Sequence, residues 1–197
     1  MARKKDDALH VKRKSQILAA ARACFIEHGI HQTSMQQICS RGEISPGALY
    51  RYFPSKQSII EAIAASEHQS NTDLIDFLAE AKDPVAALQE AVPDLLDHIL
   101  DPDFARLMVE ISAEASRNTS ISKTFDEVEA QFQTELEKIF NRAAKPFSLK
   151  RDQHIKAQIF IFLALLDGLV ARAAHNDLPP RKQLVMSVQK TIRGLFA

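Results

Sequence analysis

The segment TSMQQICSRGEISPGALYRYFPSK, from Thr33 to Lys56, decides how the rest of the 197-residue chain is read. Thr33 is a good N-cap for a short helix with Met35, Ile38 and Cys39 on its apolar side. Gly42 interrupts that helix, and Glu43 and Ile44 continue the turn. Ser45 then caps a second short helix with Pro46 at its first position, where a missing N–H costs nothing. Pro54 ends it and Ser55 caps the next. Upstream, Ile17, Ala21, Cys24, Phe25 and His28 recur at helical spacing, and Gly29 stands where a left-handed residue closes a helix. Three helices with a tight glycine-containing turn between the second and third make a helix-turn-helix pattern.

On a helical wheel the second of these short helices has two characters. Leu49 and Phe53 share one face, which must pack on the preceding helices. Gly47, Ala48, Tyr50 and Arg51 fall on the other half. Ser45, Gly47 and Ala48 are small enough for the helix N-terminus to come close to base pairs, and its positive dipole end favours phosphate. Tyr50, Tyr52 and Lys56 have the reach and the donors to hold backbone phosphates, which sets register rather than sequence. Short amphipathic helices with aromatic ends also pack in proteins that never meet DNA, and the wheel does not choose between the two.

Charge is distributed unevenly. The chain has 25 Lys+Arg and 25 Asp+Glu and a formal net charge of zero. Residues 1–56 carry ten basic against four acidic residues, and residues 57–197 carry the remaining fifteen against twenty-one. A basic module joined to an acidic one suits a DNA-binding head on a body that does not bind DNA. Met1 to Lys14 reads as a frayed basic arm leading into the first helix.

Beyond Lys56 the pattern is helical throughout, with no strand periodicity, repeat or low-complexity tract. Helices are expected over Ser55–Ala81, from Asp83-Pro84 to Leu100 with a kink at Pro93, and from Asp101-Pro102 to Asn118. Further helices follow over Ser120–Ala144, stopped by Pro146, over Leu149–His175, and from Pro179-Pro180 to the C-terminus. The fold class is therefore all-α with about nine helices. Its domains are expected to be a helix-turn-helix head at 1–55 and a helical body at 56–197.

The stretch Thr33–Lys56 closely resembles the DNA-binding signature of the TetR family of transcription regulators, and ILAAARACFIEHG, from Ile17 to Gly29, is similar to that family's first helix. Together they cover about a quarter of the chain. Two cysteines, Cys24 and Cys39, and the lack of a secretory segment argue for a reducing cytoplasm. The resemblance implies a homodimer that binds a near-palindromic double-stranded operator, most often as a repressor, and is released by a small-molecule effector held in a ligand-binding and dimerisation body at 56–197. It implies that Thr33 and Ser34 contact phosphate, that Gln36 reaches a base or phosphate, and that Ser45, Pro46, Gly47 and Ala48 face the major groove. Tyr50, Tyr52 and Lys56 would hold the backbone. Cys39 stands where the family usually has Ala, and Glu43 lies in a turn that is more often neutral.

The expected eighth helix is apolar nearly all round, so it must be buried on more than one side. Phe162, Leu166 and Leu169 on it, with Val188 and Ile192 on the ninth, are the candidates for a four-helix dimer interface of the kind the resemblance implies. For an apolar or amphipathic effector the candidates are Phe104, Met108, Phe160 and Asp167, the last because a carboxylate inside an apolar stretch needs a partner. The aromatic and Met residues fit plain core packing as well, and Arg172 or the dimer mate could serve Asp167. No HExxH, CxxC, phosphate loop or G-x-S-x-G occurs, so neither an enzyme, a metal nor a cofactor is expected. The longest apolar run, Ile159–Leu166, is too short to cross a bilayer and no membrane partner is expected. Cys24 and Cys39 lie on apolar helix faces, as buried small hydrophobes do.

Overall fold

A computed structural model describes residues 2–143, 149–176 and 178–196, and for residues 2–8, 67–71 and 149–151 it describes the backbone alone. Among the described residues there are nine helices: α1 (Ala2–Gln32), α2 (Met35–Arg41), α3 (Pro46–Tyr52), α4 (Lys56–Glu80), α5 (Pro84–Ile99), α6 (Pro102–Ala115), α7 (Thr119–Ala143), α8 (Leu149–Ala174) and α9 (Arg181–Leu195). The fold is all-α. The basic arm differs from its expectation: it is helical from Ala2, because no Gly or Pro intervenes before Gly29. The stop expected at Pro146, and Ala144 before it, lie outside the described residues.

The helices begin where local hydrogen bonds can satisfy their first amides. Ser34, rather than Thr33, caps α2: its Oγ accepts from Gln37 N at 3.2 Å while Gln37 Oε1 accepts from Ser34 N at 2.7 Å. Ser45 Oγ accepts from Ala48 N at 3.3 Å ahead of Pro46. Asp83 Oδ1 accepts from both Val85 N and Ala86 N at 3.0 Å, and Asp101 Oδ1 accepts from Phe104 N at 2.9 Å. Helix α5 continues through Pro93, whose carbonyl accepts from Arg181 at 2.6 Å.

The chain divides into two compact units, Met1–Glu67 with Glu110–Phe125 and His68–Val109 with Asp126–Ala197. In the first, α1 packs on α2 and α2 on α3 around Ile17, Ala21, Phe25, Ile38, Leu49, Ile59 and Ile63, all removed from solvent. Burying each such side chain contributes roughly 1.5–3 kcal/mol, enough to hold two seven-residue helices that would not form alone. In the second unit α5 packs on α8 and α9 around Leu88, Val92, Leu96, Ile159, Phe162, Val188 and Ile192. Gln89 and Gln189 tie α5 to α9 reciprocally, each side-chain amide donating to the other's backbone carbonyl at 2.8 and 2.9 Å.

Helix α8 departs from one expectation. Over Asp152–Ala174 it is long and apolar enough to cross a membrane by length and composition. Its inner face, however, is Ile155, Ile159 and Phe162, buried in the second unit's core. A core helix of a bundle meets the same criterion.

Candidate nucleic-acid interface

The turn between α2 and α3 is built by close approach. Gly42 N donates to Ile38 O at 2.9 Å, Ile44 N donates to Cys39 O at 3.0 Å, and Gln16 Nε2 from α1 donates to Gly42 O at 2.8 Å. Gly42 itself has an ordinary φ of −87°. It is glycine for space: a Cβ there would lie 2.9 Å from Ile44 Cδ1 and 3.1 Å from Ala20 Cβ. The left-handed residue of the turn is Glu43, at φ 50°.

This turn buries Leu49 and Phe53 against the core and leaves the other half of α3 bare. Ser45, Pro46 and Gly47 are exposed, Ala48 is half-buried, and Tyr50 is 52% exposed. A Cβ on Gly47 would meet nothing within 4 Å. Among the described residues, none covers the Ser45–Gly47 end of α3. Ser34 and Gln36 on α2 are exposed too. Beside them runs an open groove of about 560 Å³ lined by His28, Ser34, Gln36, Gln37, Ser40 and Arg41, with Cys24 at its base. Arg41 is held there by Glu27 at 2.6 Å. Burial pushes the Cys24 thiol above its ordinary value, more than the Arg41 charge pulls it down.

Three of the expected contact residues are engaged inside the subunit. Thr33 is only 2% exposed, and its hydroxyl donates to the carbonyls of Gly29 at 2.8 Å and Cys24 at 3.2 Å. Lys56 Nζ donates to the carbonyls of Ile30, His31 and Thr33 at 2.5, 3.2 and 2.8 Å, which uses all three of its protons. Tyr52 is half-buried, its ring 4.7 Å from that of His10 and 5.5 Å from the Arg51 guanidinium carbon. The hydroxyl and ammonium donors that suggested phosphate contacts also suit the carbonyls left free where a helix ends, and residue type does not distinguish the two partners. His28, Ser40 and Arg41 in the groove were not picked out in the sequence; the signal for them was the polar face of α2, at Gln36, Gln37, Ser40 and Arg41.

In the second unit the expected interface and effector residues separate. Phe162, Val188 and Ile192 are buried in the subunit's own core, and Leu166 and Leu169 pack against it. These five are the residues expected at a dimer interface. Phe160 and Ile161 on α8 and Met186 on α9 are instead 66%, 53% and 60% exposed. The helix has two apolar faces, and only packing shows which of them turns inward. Phe104 lies half-buried against the His98 ring, 4.4 Å between centroids, and Met108 is half-buried. Phe160 and Asp167 are on the exposed side of α8, and none of the four effector candidates lines the cavity described below. Burial raises the Asp167 pKa, and burial followed by the charges of Asp167 and Asp126 raises that of Glu129. A cavity of about 460 Å³ in this unit is lined instead by Lys82, Phe140, His154, Ile155, Gln158 and Phe196, among others.

Residues 17–63 match the family described as bacterial regulatory proteins, tetR family, and residues 84–197 match the BetI-type transcriptional repressor C-terminal family. The chain is 25% identical over 187 residues to the HTH-type transcriptional regulator UidR of Escherichia coli K12, covering 93% of this chain and 92% of that one. It superposes on Salmonella enterica GusR with a TM-score of 0.75 at 27% identity, covering 93% and 94% of the two chains. A FadR regulator from Bacillus subtilis, solved in complex with stearoyl-CoA, shares the fold at a TM-score of 0.75 and 17% identity, with 93% and 97% covered.

Proposed function

This chain belongs to the TetR family of DNA-binding transcriptional regulators, and from that membership we propose that it acts as a homodimeric, effector-released repressor in the cytoplasm. Residues 1–55 serve as the reading head, and residues 56–197 as the effector-binding and dimerising body. The observation that carries the proposal is the bare first turn of α3, where Gly47 has no heavy atom within 4 Å of its added Cβ. Pro46, Gly47 and Ala48 enter the major groove, while Ser34, Gln36, Tyr50 and the groove along α2 hold phosphates. Thr33 and Lys56 contribute by building the turn that presents those residues. Tyr52 braces α3 against α1.

A second copy supplies the other half-site. The exposed Phe160, Ile161 and Met186 are large apolar side chains on neighbouring helices, the kind of patch that a two-fold partner covers. Such a pair presents two α3 helices to successive major grooves about 34–36 Å apart. The 460 Å³ cavity in the second unit falls in the size range of small-molecule sites and supports the effector half of the reading. An effector that binds the DNA-free state better than the DNA-bound state releases the operator, and by linkage DNA weakens effector binding by the same factor.

The test is a gel shift of labelled duplex from the region beside the protein's own gene, with wild type and Tyr50→Ala. Wild type should shift the DNA in a salt-sensitive manner, and Tyr50→Ala should fold normally and bind about tenfold more weakly. Equal affinity in the two proteins would show that this face of α3 does not meet DNA.

A further inference from the structure

The link between α1 and α2 is held by charged groups from two other helices. At Gly29, φ is 77° and ψ is 157°, a backbone region essentially closed to residues with a Cβ. This turns the Gly29–Ile30 peptide out of the helical path and starts a single extra turn, closed where Thr33 N donates to Gly29 O at 3.2 Å. The displaced Ile30 N–H donates to Glu110 Oε2 of α6 at 2.8 Å, across 80 residues of chain. At the opposite end of the turn, Lys56 Nζ at the start of α4 donates to the carbonyls of Ile30, His31 and Thr33. A carboxylate thus sits on the amide end and an ammonium on the carbonyl end, each complementing the turn's dipole. A Cβ on Gly29 would lie 3.1 Å from Glu110 Oε2, so the glycine also makes room for the carboxylate.

We propose that Glu110 is a positioning residue for DNA binding: with Lys56 it clamps the Gly29–Thr33 turn and so fixes how α2, capped immediately afterwards at Ser34, is set against α1. The contacts of the Glu110 carboxylate with this region are at Ile30 N and beside Gly29. Glu110 acts through the turn, by holding in advance an arrangement that would otherwise have to be ordered when DNA binds. The proposal rests on the DNA-binding reading above.

The test uses the full chain with Glu110→Ala, Glu110→Gln and Glu110→Asp, and two readouts. One is hydrogen exchange of the Ile30 amide; the other is affinity for a duplex selected by wild type from a random pool, measured at several salt concentrations. In Glu110→Ala the Ile30 amide should exchange about tenfold faster while that of Phe25 is unchanged, and DNA affinity should fall by about tenfold. The slope of affinity against salt should stay the same, because Glu110 neutralises no phosphate. Glu110→Gln keeps an acceptor at the same reach and should restore most of both properties. Glu110→Asp keeps the charge, falls one methylene short, and should resemble Glu110→Ala; this pair decides the matter if the alanine variant fails to fold. Unchanged Ile30 exchange alongside normal DNA binding would overturn the clamp. Faster exchange with unchanged DNA affinity would make Glu110 a structural residue only and overturn its positioning role. A wild type that selects no duplex would instead sink the DNA-binding reading on which the proposal stands.

Discussion

The two glycines on either side of Ser45 should answer to the same substitution in opposite ways. In Gly42→Ala the new methyl would lie 2.9 Å from Ile44 Cδ1, 3.1 Å from Ala20 Cβ and 3.2 Å from Ile38 O. The Ile44 methyl ends a flexible side chain and can swing aside. Ala20 Cβ is fixed to the α1 backbone, and Ile38 O already accepts the Gly42 N–H. The turn and α1 must therefore separate by a few tenths of an ångström, and overpacking of this kind costs about 1–3 kcal/mol. For a chain of this length that is a melting-temperature drop of roughly 2–12 °C. In Gly47→Ala the methyl meets nothing within 4 Å, and φ at this helical position is unrestricted for Ala. Helix propensity then favours the variant by up to about 1 kcal/mol. On the proposed reading the same methyl would occupy the space of a base-pair edge, and losing a close base contact costs about 1–3 kcal/mol of binding, roughly five- to a hundred-and-fiftyfold. Thermal melting by circular dichroism and a gel shift on each variant separate the two effects. If Gly47→Ala bound DNA as wild type does, the groove assignment of α3 would be wrong. If Gly42→Ala melted with wild type, the close-packing account of the turn would be wrong.

Lys56→Met should lower stability by about 1–3 kcal/mol, because three carbonyls lose a charged donor. A variant that melts normally but loses about one phosphate's worth of salt dependence would mean that Lys56 leaves the turn for DNA. Phe160→Asp should leave the subunit folded, since the side chain is 66% exposed, yet shift sedimentation toward the monomer. An unaltered dimer would move the interface elsewhere. Although Asp167 lies on the exposed side of α8, partial desolvation by its surroundings holds its carboxyl above the ordinary value of 3.8. A carboxyl whose folded pKa is raised favours the folded state below its unfolded pKa and loses that contribution as pH rises through the folded one. Asp167→Asn should therefore raise the melting temperature at neutral pH and flatten its decline as pH rises above the ordinary carboxyl range. A variant with the wild-type pH profile would show that Asp167 is not desolvated.

Much of the candidate interface was legible because its signals are local. Ser45-Pro46 opens α3, Gly29 takes a positive φ, and the Leu49/Phe53 face is buried while Gly47 and Tyr50 lie outside, all as the spacing indicates. Capping and helical periodicity depend on residues within a turn of one another, so a linear pattern reports them. The capping residue of α2 was misread by one position, Thr33 for Ser34, because both carry a hydroxyl and only the Gln37 bonds separate them. The exposed apolar patch was half-legible: Phe160 and Ile161 made α8 apolar all round, but the inward face could not be identified.

The amino-acid order alone therefore determined the helices, the helix-turn-helix and the family, since each rests on neighbours in the chain. Folding in three dimensions decided the partners. Thr33 and Lys56 turned their donors inward, Phe162, Val188 and Ile192 went to the core, and Glu110 reached Ile30 across 80 intervening steps of chain. A hydroxyl, an ammonium or a carboxylate is satisfied by any suitable group that packing brings within about 3 Å. Which group that is depends on the arrangement of whole helices, and no short stretch of sequence contains it.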